Sequence, residues 1–192
     1  MDTELRYRNP FELLVAVVLS AQCTDKRVNM VTPGLFAAYP TAGAMAMAEE
    51  GDILKYISSV SFPNSKAKHL KAAAQMMVRD FGGRVPDDFD SLLRLPGVGR
   101  KTANVVVAIA FGRPGLGVDT HVFRVSRRLG IVPDEANTPE KVEKELKGRI
   151  EEGVWSKAHF WLLYHGRYTC KARTPKCGEC ELREICRFEG KM

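Results

Sequence analysis

At 192 residues, with 45% hydrophobic and 27% charged side chains, the chain can bury one large core or two small ones and has an ordinary globular balance. No apolar run approaches the roughly 20 residues a helical membrane span needs, so a membrane partner is not expected. The formal net charge of +6 fits a polyanionic partner without singling one out.

The spacing predicts helices almost throughout. Phe11, Leu14, Val15, Val18 and Leu19 recur at helical intervals, so a helix is expected from Pro10 to about Ala21, with Pro10 in the first turn. This run follows Arg6 and Arg8 as a signal segment would. It is short, contains Glu12, and leads through Ser20-Ala21-Gln22 into charge in place of a cleavage site. The expected location is therefore the cytoplasm, around the nucleoid in a bacterium. A second helix is expected over 25–38, bent or broken by Pro33. Thr41 is expected to cap a short helix through Ala48, Asp52 another through Ser59, and Asn64 or Ser65 a long one ending before Gly82-Gly83.

A further helix ends over Asp90 to Leu93, just before Leu95-Pro96-Gly97-Val98-Gly99, and the next runs from Arg100 to Phe111. Its Val105–Val107 run is strand-like, but Ala103, Ala108 and Ala110 favour a buried helix. Asp119 is expected to cap a helix to Leu129 and Thr138 one to about Glu152, with Trp155 to Tyr168 the last. No period-2 alternation of convincing length occurs, and the class is all-α. Gly112 to Val118 is the least regular stretch before the cysteine-rich tail. This divides the chain into 1–113, with a helix–hairpin–helix over about 88–112, and 114–192.

Five cysteines are present, an odd count that argues against a disulfide framework. Cys170, Cys177, Cys180 and Cys186 follow C-x6-C-x2-C-x5-C. Four thiolates suit tetrahedral zinc or a [4Fe–4S] cube, and the uneven spacing with only one C-x2-C knuckle leans to the cube. Cys23, far from the others, reads as a packed small residue. Between the first two ligands, Lys171, Arg173 and Lys176 form either a rigid phosphate contact or a solvated loop balancing an anionic centre.

Gly97, Val98 and Gly99, followed by the helix start at Arg100, read as a hairpin that grips backbone phosphate through exposed N–H groups. Lys101 lies in that first turn, where the helix dipole and Arg100 disfavour an ammonium. It is either an amine nucleophile able to form a Schiff base or a phosphate contact. Asp119 is either a helix cap or a carboxylate that stabilises a cationic sugar and assists deprotonation. His121 is either a DNA-facing donor or a core histidine.

LPGVGRKTANVV (95–106), VDTHVFRV (118–125), HGRYTC (165–170), the cysteine spacing, PFELLVAVVLSAQCTD (10–25) and NSKA (64–67) together resemble the endonuclease III family of helix–hairpin–helix DNA glycosylases, over essentially the whole chain. The resemblance implies a two-lobed fold, a helical barrel lobe plus a [4Fe–4S] cluster lobe, with DNA bound between them. It implies a monomeric bifunctional base-excision enzyme acting on double-stranded DNA that contains damaged bases or abasic sites. Oxidised pyrimidines would be extruded and removed, and β-elimination at the abasic site (AP lyase) would follow. Lys101 would be the Schiff-base nucleophile, Asp119 the catalytic carboxylate, and the four cysteines the cluster ligands. Gln22 would fill the gap left by the extruded base. Phe62 stands where the family places an aliphatic wedge, so it could stack as well as insert. The family also has a helix ahead of the 10–25 segment, whereas nine residues precede Pro10. A version with that helix restored is expected to melt higher.

Overall fold

The computed structural model describes residues 3–190. Two compact units make up the chain, one ending at Arg113 and the other beginning at Pro114, and each buries its own apolar cluster. Among the described residues the regular structure is entirely helical, and no helix is long and apolar enough to cross a membrane.

In the N-terminal unit, α1 (Pro10–Ser20) is buried at every position from Phe11 to Leu19. A helix apolar on all sides belongs in the interior. Its one acidic residue, Glu12, is 1% exposed and survives there because Arg8 forks onto it, with Nη2 2.6 Å from Oε1. Asn9 closes the start by accepting the Glu12 N–H. Around α1 stand α2 (Asp25–Ala38), capped by Thr24, α3 (Ala42–Ala46), capped by Thr41, and α4 (Glu50–Ile57). They are followed by α5 (Pro63–Phe81), α6 (Phe89–Leu93), capped by Asp88, and α7 (Arg100–Phe111). α1 packs on α2, α5 and α7, and α5 covers α3 and α4.

Several boundaries depart from expectation. Pro33 leaves α2 unbroken. Buried Thr32, Leu35 and Phe36 flank it, and the packing outweighs the roughly 3 kcal/mol a helical proline costs. α3 stops at Ala46, short of Ala48. Asp52 does not cap α4; it lies within the first turn, its carboxylate 2.7 Å from Lys55 Nζ. Neither Asn64 nor Ser65 caps α5, which begins at Pro63 behind a left-handed Phe62.

In the C-terminal unit, α8 (Thr120–Leu129) packs on α9 (Pro139–Arg149) and α10 (Trp155–Tyr164). Thr138 caps α9, which ends three residues before Glu152 where Ile150 turns extended. α10 does not reach Tyr168 as a regular helix. After Tyr164 it widens into a π-helical turn over His165–Thr169, in which the Cys170 N–H donates to His165 O at 2.7 Å. Gly166 permits this: a Cβ there would lie 2.8 Å from His121 Cβ and 3.0 Å from Val125 Cγ2 on α8.

Candidate functional site

The N-terminal unit presents two features. The first is the hairpin between α6 and α7. Gly97 turns it with φ +81°, and Gly97 and Gly99 are both exposed. Val98 faces the core at 7% exposure, and its N–H is taken by Leu95 O at 3.0 Å. What the hairpin offers a ligand is therefore the bare backbone of the two glycines. Gly99 opens α7 with no capping side chain, unlike α1, α2, α3 and α6. Such a helix start attracts an anion. Arg100 is exposed, its guanidinium 4.9 Å from the centre of the Phe89 ring, and Lys101 is half-buried behind it in the first turn.

The second feature joins α1 to α5. Among the described residues, the non-glycine positions with positive φ are Gln22 (54°) and Phe62 (55°). Each left-handed residue costs about 1–2 kcal/mol, and such strain gathers at functional sites. Both side chains point outward, with Phe62 63% exposed. The two turns are tied together: the Ser61 hydroxyl donates to Gln22 O at 2.6 Å. Beneath them Lys66, 6% exposed, donates from Nζ to Leu19 O and Ala21 O, both at 2.7 Å. Burial pushes its ammonium below the ordinary lysine value. The sequence reading missed Ser61 and Lys66. A signal existed for the lysine, because Lys66 shares a helical stripe with buried Ala67, Leu70, Ala73, Ala74 and Met77.

In the C-terminal unit, Asp119 caps α8 with one oxygen, Oδ1, which accepts the N–H groups of His121 and Val122, both at 2.8 Å. The second oxygen stays out of the cap. His121 is half-buried, and Arg124 Nη2 stands 3.2 Å from its Nδ1. An arginine only donates, so Nδ1 accepts and the ring proton of the neutral imidazole lies on Nε2. Arg124 also donates to Gly166 O and Cys170 O, which ties α8 to the π-helical turn.

Cys170, Cys177, Cys180 and Cys186 line one open cavity, together with His165, Lys176, Arg183 and Phe188. Among the described residues, no three His, Cys, Asp or Glu side chains converge on a single-ion site. Thiols spread around a cavity suit a polynuclear centre better than one tetrahedral ion, and the surrounding cations suit its negative charge. Arg128 pins the ligand loop, donating to Lys171 O at 2.8 Å and Ala172 O at 2.9 Å, with Nη1 3.4 Å from Cys170 Sγ. Lys171 and Arg173 are exposed on that loop. Cys23 stands apart, packed against the N-terminal core.

Residues 15–152 match the family model described as HhH-GPD superfamily base excision DNA repair protein, well over half of the chain. Residues 170–186 match the iron-sulfur binding domain of endonuclease III, a span that begins and ends on cavity cysteines. The chain belongs to the endonuclease III family. It is 50% identical over 186 residues to endonuclease III of Rickettsia felis, covering 97% of this chain and 86% of that protein. The Escherichia coli K12 relative is 42% identical over 190 residues, covering 99% and 89%. Among solved structures, a trapped endonuclease III–DNA covalent intermediate superposes with a TM-score of 0.92 at 46% identity, covering 97% of this chain and 87% of that one. A thermostable thymine-DNA glycosylase superposes with a TM-score of 0.86 at 26% identity, covering 97% and 87%. Family membership makes the chain a helical DNA glycosylase with AP lyase activity and an iron–sulfur cluster.

Proposed function

We propose that this enzyme removes oxidised pyrimidines from duplex DNA through a Schiff base on Lys101 and then nicks the abasic strand. One observation carries the reading: a half-buried lysine in the first turn of an uncapped helix, directly behind two exposed glycines. The glycine amides would hold a backbone phosphate, and that anchor would set the reach of the amine to a neighbouring sugar. A relative 46% identical has been trapped as a covalent intermediate with DNA, which supports an enzyme-borne nucleophile.

The Lys101 amine attacks C1′, the C1′–N bond breaks, and the base leaves with a proton. The nitrogen lone pair then opens the C1′–O4′ bond, with O4′ taking a proton. The iminium so formed makes the C2′ proton acidic; loss of that proton breaks the C3′–O bond and releases the 3′ phosphate, and water then frees the lysine. Asp119 assists in two ways. Its oxygen outside the cap takes a proton from the amine, and its charge stabilises the cationic sugar. Gln22 fills the space left by the extruded base and Phe62 wedges the stack, while Arg100, His121, Lys171 and Arg173 contact the DNA. Cys170, Cys177, Cys180 and Cys186 would hold the cluster, which supplies Fe–S crosslinks that fix the 171–176 loop. The enzyme acts as a monomer in the cytoplasm.

Borohydride trapping on duplex DNA with an abasic site tests the central step. A covalent adduct is expected with the native chain and none with Lys101→Gln. An adduct of equal yield with Lys101→Gln removes the nucleophile assignment.

A further inference from the structure

Three unfavourable arrangements meet in one place on the N-terminal unit. Gln22 and Phe62 are both left-handed, and the Lys66 amine is buried in the first turn of α5, the helix end where a cation is least welcome. A protein retains such a cluster where geometry matters more than stability. The contacts state which geometry. Lys66 Nζ reaches back to the last turn of α1, taking Leu19 O and Ala21 O at 2.7 Å each. Ala21 precedes Gln22, and Lys66 stands four residues beyond Phe62. One ammonium therefore fixes the departure of the first strained residue from α1 and the entry of the second into α5. The Ser61–Gln22 bond of 2.6 Å closes the same link from the solvent side.

We infer that Lys66, with Ser61, is a positioning residue that holds Gln22 and Phe62 at one fixed separation so that both enter the base stack together. The inference rests on the reading that Gln22 and Phe62 probe DNA. Neither Lys66 nor Ser61 touches the substrate. Their action is to keep two exposed side chains from relaxing into ordinary backbone conformations, in which they would point elsewhere.

The test compares a reaction that requires base extrusion with one that does not. The first is excision of 5-hydroxycytosine from a paired duplex. The second is strand cleavage at an abasic site in single-stranded DNA. Lys66→Met keeps the length of the side chain and loses its donors; Ser61→Ala, at a half-exposed position, guards against a folding failure of the first. Misplacement by about 1 Å costs about 10²-fold, so Lys66→Met is expected to lose about that much on the duplex, and Ser61→Ala about tenfold. Both are expected to stay within about twofold of the native chain on single-stranded DNA. The rise in fluorescence of 2-aminopurine placed opposite the lesion, which reports unstacking, is expected to fall in step.

If Lys66→Met and Ser61→Ala lose both reactions equally, or neither, while Gln22→Ala and Phe62→Ala still impair the duplex reaction, the positioning role is overturned and the probing role stands. If Gln22→Ala and Phe62→Ala leave the duplex reaction intact, the probing role falls and the positioning role falls with it.

Discussion

The two glycines of the hairpin, two positions apart, are expected to respond in opposite ways to one added methyl group. At Gly97 the backbone sits at φ +81°, and a Cβ would lie 2.8 Å from His69 Cβ and 3.2 Å from its Cγ. The left-handed conformation costs alanine about 1–2 kcal/mol. Moving α5 to relieve the contact costs about 1–3 kcal/mol more, and stiffening of the unfolded chain returns about 0.4–1 kcal/mol. Gly97→Ala should therefore destabilise the N-terminal unit by about 2–4 kcal/mol, or about 5–15 °C in Tm for a chain of this size. At Gly99 φ is −94°, open to any residue, and nothing lies within 4 Å of the added carbon. Gly99→Ala should melt within about 3 °C of the native chain. If that empty space is where a phosphate approaches the amides, the methyl group blocks a charge-assisted bond of about 1.5–3 kcal/mol, and Kd for duplex DNA rises about 10- to 100-fold. Circular-dichroism melts and anisotropy titrations on a duplex with an abasic analogue separate the two effects. Native affinity in Gly99→Ala would refute the phosphate cradle, and an unshifted melt in Gly97→Ala would refute the strain argument.

Other positions give equally direct outcomes. Asp119→Asn keeps an oxygen for the α8 cap, so it should fold and bind DNA normally while losing base excision; Asp119→Ala should in addition lose about 1 kcal/mol of stability. Unchanged turnover in the asparagine variant would return Asp119 to capping alone. At the start of α6, the Ser91 N–H holds the Asp88 carboxyl below its ordinary value. A depressed folded value means its contribution is present above the unfolded pKa of about 3.9 and is lost as pH falls through the lower folded one. The Tm gap between the native chain and Asp88→Ala should accordingly narrow as pH drops from about 6 towards 3, and a gap that widens on acidification would contradict this. The purified protein should be brown with a broad visible band. Cys180→Ala should bleach it and weaken the C-terminal unit, and a colourless native protein with stoichiometric zinc would overturn the cluster assignment.

Much of the helical framework was legible because it rests on short-range bonds. Thr41, Thr138 and Asp119 each satisfy an N–H two or three residues ahead, and the apolar spacing of α1 and α7 predicts their burial directly. Pro33 and the start of α5 were not legible. In both, distant packing outweighs local preference: the core keeps α2 continuous through Pro33, and a left-handed Phe62 delivers the chain to Pro63. The candidate site was readable where residue type alone limits the chemistry, as at Lys101 and the four cysteines. It was unreadable where carbonyls are the partners. Lys66 and Arg128 act by holding main-chain oxygens, which every residue carries and which leave no trace in a sequence.

The wide turn after α10 has a consequence for where a thiol can point. One residue more than a regular helical turn is wound in over His165–Thr169, and winding those same residues as a regular helix would carry the chain one residue's rotation further round. Cys170 would then swing by roughly 100° about the helix axis, its sulfur leaving the other three. The bearing of the first ligand is thus stored in the winding of the turn that precedes it, and a change that tightened that turn at an unaltered number of residues would be felt as the loss of a metal bond.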